Sequence, residues 1–151
     1  MHLSDDMQDL IRLFRKNDVR YAVVGGHAVN YYGYVRNTQD LDLLIEPTPE
    51  NADRVMAALV EFGFGGAGIP HRLFEQEGGA VHLGDEPNRI DILTSLKNVG
   101  NREIFDNVLV ACIDDVEVPI ISLDHLLAVK RSSARARDLA DAEELEKIHG
   151  L

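Results

Sequence analysis

The stretch Gly25–Leu43, GGHAVNYYGYVRNTQDLDL, decides how the rest of the chain is read. A glycine pair follows the apolar run Tyr21–Val24 and opens a short segment of helical character. Thirteen residues separate Gly26 from Asp40, and Asp42 follows within a second apolar run of Leu41, Leu43, Leu44 and Ile45. Lacking a Cβ, glycine lets backbone N–H groups come close to a ligand, and beside a helix start those amides suit a phosphate. Carboxylates at i and i+2 of a strand point to one face, where they repel unless a cation lies between them. The stretch therefore reads as a phosphate cradle next to a divalent-metal site. The plainer alternatives are a helix-entry turn without a ligand and two solvated carboxylates. Neither explains why the turn and the acids stand so close in sequence.

Working outward, Ser4 caps an amphipathic helix over 5–16, with Met7, Leu10, Ile11 and Phe14 on one face. Arg20–Val24 reads as a buried strand, 26–33 as a short helix closed by Gly33, and Asp40–Ile45 as a second strand. Pro49 opens a helix whose apolar face is Ala52, Val55, Met56, Leu59 and Val60, ended by Gly63. After the glycine-rich 63–68 come strand-like pieces at Arg72–Glu75 and Ala80–Leu83, then a third strand over Arg89–Leu93 with Asp91 at its centre. A short helix over 101–109, a strand Val116–Ile121 and two helices complete the chain. Ser122 caps the first of these, and the last, Ala136–His149, turns Leu139, Ala142, Leu145 and Ile148 inward. Helices and strands mix without strict alternation, so the fold class is α+β. A single domain over 1–151 is expected, with the helices of about 122–149 packed on it.

Composition excludes several classes. The 151 residues are 45% apolar and 27% charged, ordinary for a globular domain, and the acidic start MHLSDDMQDL does not resemble a leader. A lone cysteine, Cys112, reads as a core residue in a reducing compartment, so the cytoplasm is the expected location, with no membrane partner. A net charge of −11 argues against a protein that coats nucleic acid. The histidines lack the paired spacing of a zinc site, and His27, next to the glycine pair, is the one expected near any chemistry.

Two constellations carry that chemistry. Asp40, Asp42 and Asp91, on one face of neighbouring strands, can hold one or two Mg²⁺ ions and leave positions open for phosphate oxygens. The run Lys130–Arg137 places four basic residues in eight without an acid, while the other eleven share 143 positions with all 26 acids. It reads as a polyphosphate clamp, Lys130 and Arg137 its favoured members, or as a solvated basic surface. Asp138 and Asp141 either orient those cations or cap the helix start. Arg36 reads equally as a phosphate contact or as half of an ion pair. The tyrosines at 31, 32 and 34 read as packing rather than as a base-stacking platform.

Together, G-G-H-A-x-x-x-x-G-x-x-R-x-T-x-D-x-D and Lys130…Arg137-Asp138-x-x-Asp141 resemble small bacterial nucleotidyltransferases of the DNA polymerase beta-like superfamily. That group includes AbiE-type toxins and lincosamide-type antibiotic nucleotidyltransferases. The resemblance implies a mixed sheet flanked by helices, Mg²⁺ on Asp40, Asp42 and Asp91, and an NTP such as ATP as substrate. The nucleotide would lie along Gly25 and Gly26, with His27, Arg36, Thr38, Lys130 and Arg137 as further contacts. Asp91 would also take the acceptor's proton as NMP passes to a hydroxyl of a small molecule, RNA or protein. The wider superfamily often has serine where this chain has Gly26, and many relatives carry a large C-terminal helical domain for the acceptor. Acceptor contacts would come from this domain, from a cognate protein or from a second copy. The rival readings are a silent nucleotide-binding or toxin-regulating protein and, more remotely, a metal-dependent sugar transferase.

Overall fold

The computed structural model describes residues 2–37, 40–65, 68–85 and 88–151. Helix α1 (Asp5–Lys16) starts where the Ser4 hydroxyl accepts from the Met7 N–H, and it buries Met7, Leu10, Ile11 and Phe14. Strand β1 (Tyr21–Val24) is buried along its whole length, and α2 (Gly25–Tyr31) follows without a linking residue. Strand β2 (Leu41–Ile45) runs antiparallel to β1. Helix α3 (Pro49–Leu59) has Thr48 as its cap and proline in its first turn. It passes into a π turn, Val60–Phe64, where Gly63 takes φ +105°. Strands β3 (Ala80–Leu83) and β4 (Ile90–Leu93), helix α4 (Asn101–Asp106), strands β5 (Leu109–Ile113) and β6 (Val116–Ile120), and helices α5 (Leu123–Arg131) and α6 (Ala136–His149) follow.

The strands form one mixed six-stranded sheet in the order β3-β4-β2-β1-β6-β5. The expected α+β sheet flanked by helices is what the chain adopts. Strands β2 and β4 are parallel, as are β1 and β6; the remaining pairs are antiparallel. Burial is greatest in the middle, where Leu41, Leu43, Leu44, Ile45, Ala22 and Val23 are fully covered.

Several expectations need correction. Residues 71–74 form a 3-10 turn rather than a strand: four residues with only Phe74 buried offer no ladder to join. The helix expected over 101–109 stops at Asp106, and Leu109–Ile113 is an edge strand instead. Its alternation buries Ala111 and Ile113, so Cys112 faces solvent and is not core. The β5–β6 turn is Asp114-Asp115, both at positive φ, as a two-residue hairpin of the right twist requires. On α6 only Asp141, Ala142 and Leu145 are buried; Leu139 and Ile148 are exposed, as is Val60 after α3.

Candidate active site

The parallel pairing of β2 with β4 sets Asp42 beside Asp91. The antiparallel pairing of β1 with β2 sets Val24, and hence the turn into α2, across from Asp42. Gly25 occupies that turn at φ +67°, and a Cβ there would lie 2.1 Å from Asp42 Oδ2. Glycine is thus required by the carboxylate itself, independently of any ligand.

These groups open onto a cleft of about 570 Å³. Gly25, Gly26, Asp40, Asp42 and Asp91 line it together with the cations Arg36, Arg89, Lys130, Arg135 and Arg137. Ile121, Leu126 and Val129 supply apolar wall. Of the described residues expected here, His27 is not among those lining the cleft. His27 is 2% exposed beneath the turn, among packed side chains rather than at the surface of the cleft. Among the described residues neither of its ring nitrogens has a hydrogen-bond partner, and burial, reinforced by nearby positive charge, lowers its pKa to about 4. Thr38 lies outside the described residues.

The three carboxylates differ in surroundings. Burial, the charge of Asp91, a hydrogen bond shared with it and the charge of Asp40 push Asp42 up to about 7. Burial acts on Asp91 in the same direction, yet Arg89 and His82 outweigh it and hold Asp91 below the usual carboxylate range. Arg89 donates from Nε to Asp91 Oδ1 at 2.8 Å and from Nη2 to Oδ2 at 3.1 Å, and its backbone N–H donates to Asp40 Oδ1 at 3.2 Å. His82 Nδ1 lies 2.6 Å from Asp91 Oδ1, directly across the β3–β4 pair.

Sequence reasoning missed both partners. Arg89 carried a readable signal, two residues before Asp91 and so on the same strand face. His82 carried none until the register of β3 was known.

Whether a divalent cation suits this place can be judged from the donors. All three are carboxylates, the hard oxygen ligands that Mg²⁺ takes, and Asp42 is destabilised by the like charges around it. Among the described residues, however, no group of three or more His, Cys, Asp or Glu side chains is already gathered as a metal cage. Arg89 engages both Asp91 and Asp40, its Nη2 lying 3.7 Å from Asp40 Oδ2, and Asp42 shares a hydrogen bond with Asp91, so an ion here would be held by Asp40 and Asp42 in competition with these contacts.

The basic wall is ordered by α6. Arg36 donates from Nε and Nη2 to the two carboxylate oxygens of Asp141, each at 2.9 Å, and Asp141 is 1% exposed. Lys130 Nζ lies 2.9 Å from Asp138 Oδ1 and 3.1 Å from Asp141 Oδ2. The Ser133 hydroxyl donates to Asp138 Oδ2 at 2.7 Å. Asp138 and Asp141 therefore orient cations, and Arg36 is paired with an acid.

No protein-family model and no curated protein matches the chain. Among solved structures it is similar to the lincosamide antibiotic adenylyltransferase LnuA with lincomycin bound, at TM-score 0.62 and 16% identity, over 98% of this chain and 99% of that one. The chain has the nucleotidyltransferase fold. The same fold relates it to an antigenic nucleotidyltransferase-like protein from Paracoccidioides brasiliensis, at TM-score 0.57 and 16% identity, over 97% of this chain and 78% of that one. It also relates it to a candidate nucleotidyltransferase from Thermotoga maritima, at TM-score 0.57 and 12% identity, over 95% and 89%. Within this nucleotidyltransferase fold, Gly25, Asp42 and Asp91 meet at the end of three adjacent strands. Among the described residues, no helix is long and apolar enough to cross a membrane.

Proposed function

We propose that the protein is a Mg²⁺-dependent nucleotidyltransferase that moves NMP from an NTP to an acceptor hydroxyl and releases pyrophosphate. The observation that carries this reading is the register pairing Asp42 with Asp91 beside a turn that only glycine can occupy. Phosphoryl-type transfer needs little covalent chemistry from a protein; it needs in-line positioning and neutralised charge. Asp40 and Asp42 would hold the cation, which when bound supplies charge neutralisation at the phosphate oxygens. Gly26 lines the same cleft and would let the phosphates approach the backbone, the space beside Gly25 being filled by Asp42. The acceptor oxygen bonds to the α-phosphorus as the bond to the departing pyrophosphate breaks, and Asp91 takes the acceptor's proton.

A small hydroxyl-bearing molecule is the favoured acceptor class. The cleft has an apolar wall, the chain carries net charge −11, and a fold neighbour of the same length is named for an antibiotic acceptor. A toxin acting on RNA or protein, with contacts from a cognate protein or a second copy, is the other outcome to test. Both settings place the protein in the cytoplasm, where NTPs are available.

The test is incubation with each α-labelled NTP, Mg²⁺ and a panel of aminoglycosides, lincosamides, RNA and cell extract. Label transfer by the wild type, lost in Asp42→Asn, supports the reading, and equal turnover by the two sinks it. One observation favours a second reading, a silent nucleotide-binding protein: Arg89 already neutralises Asp91. NTP binding with no pyrophosphate released across the panel would establish that alternative.

A further inference from the structure

Strand β5 is the last of the sheet at the end opposite β3, and among the described residues no strand lies beyond it. Which of its backbone groups are left over follows from the register. The Ile121 N–H donates to the Val23 carbonyl and so faces β1. Successive N–H groups of a strand alternate sides, so those of Ile120, Val118 and Val116 face β5. Their partners are Leu109, Ala111 and Ile113. These three therefore use their N–H and C=O groups on β6, while those of Val110 and Cys112 point outward. Pro119, which has no N–H to give, stands opposite Val110, in agreement with this pattern. The edge also lacks what usually blunts an open strand: no charge, proline or glycine occurs from Val108 to Ile113. Val110 is 64% exposed, Leu109 is 44% exposed, and Cys112 faces solvent.

We propose that β5 is a self-association edge, pairing antiparallel with β5 of a second copy about a two-fold axis at Ala111 and joining two sheets into one. The symmetry of the unused groups is what selects a second copy. Val110 and Cys112 stand one on each side of Ala111, so the same strand, reversed, presents its outward N–H and C=O groups in matching order. Val110 then lies opposite the partner's Cys112, and each such pair exchanges both N–H···O bonds. Ala111 falls on the axis, where a pair without hydrogen bonds comes closest and a small side chain fits. An axis at Cys112 would instead set Val110 against Asp114, which lies beyond the strand in the turn at φ +49°. Charge acts in the same direction. A net charge of −11 makes one copy repel another over most of its surface, and this strand brings no charge to the contact. An edge of five residues buries far less than the roughly 1,200 Å² of a stable interface. The dimer is therefore concentration-dependent, with a dissociation constant on the order of 100 μM. No residue of β5 lines the cleft, so the pairing is independent of nucleotidyl transfer.

Sedimentation velocity on the full chain over a rising concentration series tests the pairing. The wild type should pass from monomer to dimer. Val110→Lys, which sets a charge on the exposed edge, should weaken the dimer by roughly tenfold or more at unchanged melting temperature. Val110→Pro, which removes one outward N–H, should weaken it as well. Cross-linking reads the register. Under mild oxidation Val110→Cys should form an interchain disulfide with the partner's Cys112, which stands directly opposite. The wild type, whose two Cys112 residues lie diagonally across the axis, should form little, and adding Cys112→Ser to Val110→Cys should abolish the band. A chain that stays monomeric at every concentration would overturn the proposal, even if its edge captured a different protein. A dimer as tight in Val110→Lys as in the wild type would overturn it too. So would wild-type cross-linking through Cys112 as efficient as that of Val110→Cys.

Discussion

The Asp42 carboxylate fills the space that a side chain on Gly25 would need: Oδ2 stands 2.1 Å from where a Cβ would be built. Neither residue's place is explicable without the other. Gly25→Ala should therefore cost roughly 2–5 kcal/mol, combining overpacking with a left-handed backbone in a residue that resists it. In an Asp42→Ala background the carboxylate clash is gone, and about 1–2 kcal/mol should remain for the positive φ and the close Cβ at position 42. Chemical denaturation of the four proteins in this cycle checks the coupling.

Asp42 also sets a pH slope. Its folded pKa of about 7 is above the ordinary 3.8, so the native state keeps a proton that the unfolded chain has released. The associated stability is present below pH 4 and is lost as pH rises through 7. Asp42→Asn should gain about 2–4 kcal/mol over wild type at pH 8, with the difference vanishing below pH 4. The same variant should transfer no label. Adding Mg²⁺ should raise the melting temperature of the wild type and leave that of Asp42→Asn unmoved.

His27 supplies the opposing slope. Its pKa of about 4 is below the ordinary 6.5, so the unfolded chain takes up the proton first. The associated stability is present above pH 6.5 and is lost as pH falls towards 4. The two groups thus tilt the same pH window in opposite directions. The wild-type stability curve should be nearly level there; His27→Leu should expose the downward trend with rising pH and Asp42→Asn the upward one. His27→Leu should also stabilise the protein at pH 7 by about 1–3 kcal/mol, since it removes buried ring nitrogens that have no partner among the described residues. NTP affinity should not change.

Asp141→Ala should be the most damaging change on α6. It would leave Lys130 and Arg36 without their shared, enclosed counter-charge, at a cost of roughly 3–5 kcal/mol. A double-mutant cycle with Arg36→Gln, read by urea denaturation, should give a coupling energy on the order of 1 kcal/mol or more.

What could be read from the sequence was whatever depended on local spacing. The glycine pair and Asp40-x-Asp42 are close in the chain, and the i, i+2 rule alone puts the two acids on one face. The caps Ser4, Thr48 and Ser122 or the proline beside them marked three helix starts for the same reason. Pairings across the sheet were another matter. That Asp42 meets Asp91 depends on a parallel register between strands whose order no local pattern states. The Arg36–Asp141 fork spans 105 positions, so Arg36 could be left only as a choice between phosphate and acid. Cys112 was misplaced because an apolar run does not reveal that its strand is the last in the sheet. His27 was misplaced because adjacency to a turn does not say which side of it a ring will occupy.

The interlock of positions 25 and 42 also constrains descent. The constraint runs one way: a lineage that acquires a larger residue at 25 must already have given up the acid at 42, or give it up at once. Among divergent copies of this chain, a side chain at residue 25 should therefore mark one that has become mute, even where the remaining sequence is too worn to compare.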